Sequence, residues 1–83
     1  MERRDRLGII ADILDIAKDG VKKTEMMYKA NLSFKQAQDY SKALTSCKLL
    51  YVNGNDGSVV YQTSEKGNEF VKRHRNLKGF LKA

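Results

Sequence analysis

Apolar residues along the chain fall into blocks of helical period, interrupted once by a stretch of strand-forming residues. In the first block Leu7, Ile10, Leu14 and Ala17 recur at spacings of three and four, with Ile9, Ile13 and Ile16 beside them. This predicts a helix over residues 5–19 with an apolar face broad enough to pack on more than one neighbour. Gly20 stands where such a helix stops. A shorter helix is predicted over residues 24–29, with Thr24 as N-cap, Glu25 in the first turn, and Met26, Met27 and Tyr28 supplying apolar surface. Residues 30–32 form a tight connection, in which Asn31 tolerates the left-handed backbone that ends a helix. A third helix starts at Ser33, which forms a capping box with Gln36, and runs to about residue 48. Its inner side carries Ala37, Tyr40, Ser41, Leu44, Cys47 and Lys48, with Phe34 at the edge, so Phe34 and Tyr40 are expected to point toward the core. Its outer side is polar: Lys35, Gln38, Asp39, Lys42, Thr45 and Ser46.

The period then changes. Residues 49–52 and 58–62 are rich in β-formers, and Asn53-Gly54-Asn55-Asp56-Gly57 between them is a hairpin turn signal. Thr63 or Ser64 caps a last helix to about residue 81, whose stripe is Phe70, Leu77 and Leu81 with Val71 and Phe80 nearby. There is no proline, internal repeat or low-complexity tract. The expected architecture is mainly α with a small β-hairpin (α+β), in the order α-α-α-β-β-α. Two helices joined by a tight turn, the second polar on its outer face, make a helix-turn-helix, and the hairpin after them makes a wing. With 83 residues, the chain reads as one winged helix-turn-helix domain, 1–83, in which 64–83 is a C-terminal helix available for dimerisation. A core of this size is marginal alone, which favours a compact helical fold, a dimer, or both.

Charge narrows the class of partner. The net charge is +6, unevenly spread: residues 1–20 carry four basic and five acidic side chains, and residues 21–83 carry twelve and five. A basic excess of this kind suits a polyanion, since Lys and Arg replace counterions along phosphates, although surplus lysine also serves solubility alone. In the proposed architecture the third helix enters the major groove, its N-terminal residues toward the base edges, while the second crosses the backbone. Ser33 and the N–H groups behind it can hold a phosphate. Lys35 suits phosphate or guanine, and Gln36 and Gln38 suit adenine edges. Lys42 adds a second cation to the outer face, and Lys22, Lys23 and Thr24 can clamp the backbone before the second helix. Asp39 repels phosphate unless it accepts from cytosine or pairs with Lys35 or Lys42; the Lys35 spacing is that of a weak helical ion pair. The wing tip offers Asn55 but no cation. Each of these side chains equally suits a solvated helix face. The last helix is the most basic segment, with six cations against Glu69 in residues 66–83. It either follows phosphates or pairs with its copy in another chain through Phe70, Leu77, Phe80 and Leu81, a stripe shorter than three heptads.

Other classes are excluded or disfavoured. No run of about 18 apolar residues marks a membrane span. Asp12 and Asp15 break the segment that a signal peptide would keep apolar. The expected localisation is cytoplasmic and nucleoid-associated. A lone cysteine, Cys47, permits no internal disulfide and no cysteine-based zinc site, and its place on the inner face predicts a small buried hydrophobe. His74 reads as solvated, and Asp12, Asp15 and Asp19 as a solvated face rather than a metal site. No glycine-rich phosphate loop or nucleophile–base pair is present, so neither an enzyme nor a metal or other cofactor is expected.

The segment Met27-Tyr28-Lys29-Ala30-Asn31-Leu32-Ser33-Phe34, followed by Tyr40, Lys42 and Leu44, resembles the archaeal winged-helix regulators of the ArnR-like type. It is also similar to the small Sulfolobus DNA-binding chromatin proteins of about ten kilodaltons. Tyr61-Gln62-Thr63-Ser64-Glu65-Lys66-Gly67 looks like the strand-to-helix junction closing the wing in these proteins, with Gln62 where they carry Leu. The resemblance, from about Leu7 to Val71, implies an archaeal or archaeal-viral origin, double-stranded DNA as partner, and a homodimer through the C-terminal helix. It does not separate transcription regulator from architectural protein. The main alternative is a winged helix used for protein–protein contact. Such a docking helix should carry an exposed apolar anchor, which Lys35, Gln38, Asp39 and Lys42 do not supply. RNA binding would call for exposed stacking aromatics.

Overall fold

The computed structural model describes the backbone of residues 5–55 and 58–82, and the side chains of all of these except Asn55, Ser58, Lys78, Phe80, Leu81 and Lys82. The elements are α1 (Arg6–Ile16), α2 (Lys23–Lys29), α3 (Phe34–Ser46), β1 (Leu50–Asn55), β2 (Ser58–Thr63) and α4 (Glu65–Lys82). This is the expected α-α-α-β-β-α order.

Helix α1 starts where Asp5 accepts from the Gly8 N–H at 2.7 Å and ends one turn earlier than its periodicity suggests. Residues Ala17–Asp19 tighten into a 3-10 turn, and Gly20 leaves it at φ 93°. That positive φ needs glycine, and a Cβ there would also meet Val60 Cγ1 at 3.0 Å. Ile13, Leu14 and Ala17 are fully buried and Ile9, Ile10 and Ile16 pack against them, but Leu7 at the start of the face is exposed. The core is completed by Met26, Ala30 and Leu32 from the α2 region, Ala37 and Leu44 from α3, Leu50 from β1 and Val71 from α4.

Several local expectations are corrected. Lys22, not Thr24, is the N-cap position of α2, and Glu25 Oε1 reaches back to accept from the Lys22 N–H at 3.1 Å. The strands run further than their apolar runs: β1 and β2 pair antiparallel from Leu50↔Thr63 to Asn55↔Ser58. Only positions 56 and 57 remain between them, outside the described residues. Of the two residues expected to cap α4, Ser64 does so, accepting from the Gly67 N–H at 3.0 Å. Thr63 is buried and donates instead to the Leu14 carbonyl, tying wing to α1. Cys47 is exposed, because α3 ends at Ser46 and the chain turns at Lys48 with φ 66°.

One element was invisible in the pattern. Val21 forms a single antiparallel bridge with Tyr61, with N–H···O distances of 2.9 and 2.7 Å. This adds a short third rung to the wing's base and ties it to the segment between α1 and α2. Gly67 closes the junction on the other side. A Cβ there would fall against the Leu49 carbonyl and 2.6 Å from Thr63 Cγ2, so only glycine lets α4 come so close.

Candidate nucleic-acid interface

Helix α3 is held by its ends. Ser33 Oγ accepts from the Gln36 N–H at 3.1 Å, and Gln36 Oε1 accepts from the Ser33 N–H at 3.0 Å, the predicted capping box. Both side chains are therefore engaged locally, and Gln36 keeps its amide N–H groups for other partners. Toward its other end Thr45 donates to the Ser41 carbonyl, and Lys66 Nζ donates to the Cys47 carbonyl at 3.1 Å, a cation at the negative end of the helix.

At 100° per residue, Lys35, Asp39, Lys42 and Ser46 form one row on the outer face of α3, and all four are exposed. Lys35 Nζ lies 3.8 Å from Asp39 Oδ2. Both side chains are well solvated, so the pair stabilises little, but it sets a cation beside the one carboxylate of this face. Between α3, the start of α2 and the wing lies a groove of about 390 Å3. Lys23, Gln38 and Lys42 line it, with Val52 and Tyr61 as its apolar wall. Among the described residues no ion pair engages Lys23 or Lys42. The fold thus brings Lys23 to the same groove as Gln38 and Lys42, across two helices, whereas Lys22 and Thr24 are exposed outside its lining. The side chain of Asn55 lies outside the described residues. The described part of the wing contributes Val52 and Val59, each exposed, rather than cations.

Two features of this surface were not anticipated. Phe34, expected toward the core, is 61% exposed at the first position of α3. Ala37, Ser41 and Leu44 already fill the inner face, and Phe34 sits one turn before Gln38 on the edge that borders the groove. Tyr40, by contrast, does pack against the core. The second feature is a cleft of similar size between the 3-10 turn and α4, lined by Lys18, Lys72, Arg75, Asn68 and Asn76. The basicity of α4 was visible in the sequence, but the part played by Lys18 depends on tertiary packing. Asp15, read as solvated, accepts from Arg75 at 3.3 Å and lies 3.7 Å from Lys18.

On α4, Val71 is buried, Phe70 is half-buried and stacked on His74 (centroids 6.3 Å apart, planes 7° apart), and Leu77 is 60% exposed. Phe80 and Leu81, the remaining members of the predicted dimer stripe, lie outside the described side chains. Among the described residues no group of His, Cys, Asp and Glu could hold a metal ion, and no helix is long and apolar enough to cross a membrane.

A family model described as winged helix-turn-helix matches residues 3–82. Among solved structures, Sso10a-2, a DNA-binding protein from Sulfolobus solfataricus, superposes with a TM-score of 0.86 at 22% identity, over 95% of this chain and 83% of that one. Human N-acetylserotonin methyltransferase in complex with SAM superposes with a TM-score of 0.57 at 24% identity, over 71% of this chain but only 17% of that one. No curated protein matches.

Proposed function

The chain belongs to the winged helix-turn-helix family, and from that premise we propose that it binds double-stranded DNA, with α3 in the major groove and the α3–wing groove against the backbone. The observation that carries this reading is the convergence of Lys23, Gln38 and Lys42 on one groove beside the exposed row of α3. Uncommitted cations next to a polar helix face match what a duplex presents, phosphates flanking base edges. The similarity in fold to a protein described as DNA-binding supports the same reading. Within it, Lys23 and Lys42 contact phosphates, Lys35 and Gln38 reach base edges, and Ser33 donates to a phosphate at the helix start. The role is that of an archaeal transcriptional regulator or a chromatin-type, nucleoid-associated protein of the cytoplasm. The test is fluorescence anisotropy of random-sequence duplex DNA at two salt concentrations. Micromolar or tighter binding that weakens steeply with salt is expected, and Lys35→Ala with Lys42→Ala should weaken it more than removal of Asp56. Absence of binding at low salt overturns the reading.

The proposal includes a homodimer through α4. Its support is Leu77, exposed beyond the last buried residue described on that helix, in phase with Phe70. Leu77→Asp with Leu81→Asp should halve the mass measured by light scattering; an unchanged mass refutes pairing through this helix.

A second reading, docking to another protein, is favoured by one observation, the exposed Phe34 at the start of α3. The fold also recurs as a small part of a methyltransferase chain, and fold does not dictate partner.

A further inference from the structure

We propose that Phe34 is a base-reading residue that packs on the C5-methyl group of thymine in the major groove; this rests on the DNA-binding reading above. Phe34 is 61% exposed at the first position of α3, its ring presented beside the polar face of that helix. The cap at Ser33 and Gln36 is complete, and Ala37 and Ser41 already close the inner face, so the ring stands at the outer edge of the helix start. Phe34 therefore stands where the N-terminal residues of a recognition helix meet base edges. What surrounds it on α3 decides the occupant. Ser33 and Lys35 flank it in sequence, Gln38 lies one turn along the same edge, and Lys42 lines the groove beyond. The only carboxylate of that face, Asp39, is matched by Lys35. An apolar ring framed by cations and amides suits a polyanion that exposes an apolar spot among hydrogen-bonding edges. In the major groove that spot is the thymine methyl, for which phenylalanine is a recognised contact.

The proposal separates Phe34 from the cations around it. Lys23 and Lys42 act on phosphates, which every sequence carries; Phe34 responds to one methyl group. Burying a methyl group is worth about 0.8 kcal/mol, a fold-change of about four in affinity.

The experiment compares binding to a short alternating A·T duplex with binding to the same duplex carrying deoxyuridine for every thymine. The wild-type chain should prefer thymine about fourfold. Phe34→Ala should abolish the preference and bind both duplexes as the wild type binds deoxyuridine. Lys42→Ala should weaken both equally and keep the ratio, and Tyr28→Ala, an exposed aromatic on α2, should leave the ratio unchanged. Equal wild-type affinity for the two duplexes overturns the assignment, as does a preference that survives Phe34→Ala; in both cases salt-sensitive binding would leave the DNA-binding reading standing. No binding to either duplex fails both readings. If Phe34→Ala instead lowers self-association and leaves the ratio untouched, the ring is a protein contact and the proposal falls.

Discussion

Two basic clefts of similar size among the described residues, one between α3 and the wing and one between the 3-10 turn and α4, use their charge differently. In the groove between α3 and the wing, Lys23 and Lys42 face Gln38 and an apolar wall, with no carboxylate in the lining. In the cleft between the 3-10 turn and α4, Lys18, Lys72 and Arg75 come together, but Asp15 engages both Lys18 and Arg75. Counted along the sequence, the C-terminal segment is the more basic. Counted in space, part of that charge is offset by an acid from α1, sixty positions away. The difference shows that charge density along a chain does not rank surfaces for a polyanion; what matters is which cations the fold leaves without an internal partner.

The largest effect is expected where α4 meets the base of the wing. Gly67→Ala puts a Cβ against the Leu49 carbonyl and Thr63, so α4 must move off the base of the wing and take the α4 cleft with it. A loss of about 3 kcal/mol or more in denaturant unfolding is expected, and a variant as stable as wild type would contradict the close approach. Paired removals of lysines separate the two clefts. Lys23→Ala with Lys42→Ala should lower duplex affinity on the order of tenfold and reduce the salt slope by about two. Lys18→Ala with Lys72→Ala should do clearly less; equal losses would mean that both clefts lie on DNA. Smaller still, Ser33→Ala removes the cap of α3 and should lower stability by about 1 kcal/mol, read as a drop in Tm. The smallest effect concerns the offsetting acid. Asp15→Asn removes two solvent-exposed ion pairs and should change stability by only a few tenths of a kcal/mol. DNA affinity should rise slightly if the α4 cleft touches phosphate and stay constant if it does not.

The elements that could be read from the chain are those set by local rules. The Ser33–Gln36 box, Asn31 at φ 56° after α2, and Gly20 after the 3-10 turn each satisfy a need of two or three neighbouring residues. The helical period of α1 and α3 likewise marked Ile13, Leu14, Ala37 and Leu44 of the core, because a side chain's place on a helix is determined by its index. Misreadings occurred where periodicity met an edge. Leu7 and Phe34 keep the apolar period but sit at helix starts beyond the reach of a neighbour, and Cys47 lies just past the end of α3, where the helical index no longer applies.

Spacing and composition within a few turns of chain were enough for the order of elements, the capping box of α3, its polar row and an overall basic charge. Only the tertiary structure decided that Val21 pairs with Tyr61, that Lys23 shares a groove with Lys42, that Asp15 offsets part of the charge of α4, and that Phe34 faces outward. These depend on which segments meet across long separations, and that is set by how the apolar faces of the helices and the hairpin can be buried at once, a condition no single stretch of sequence contains.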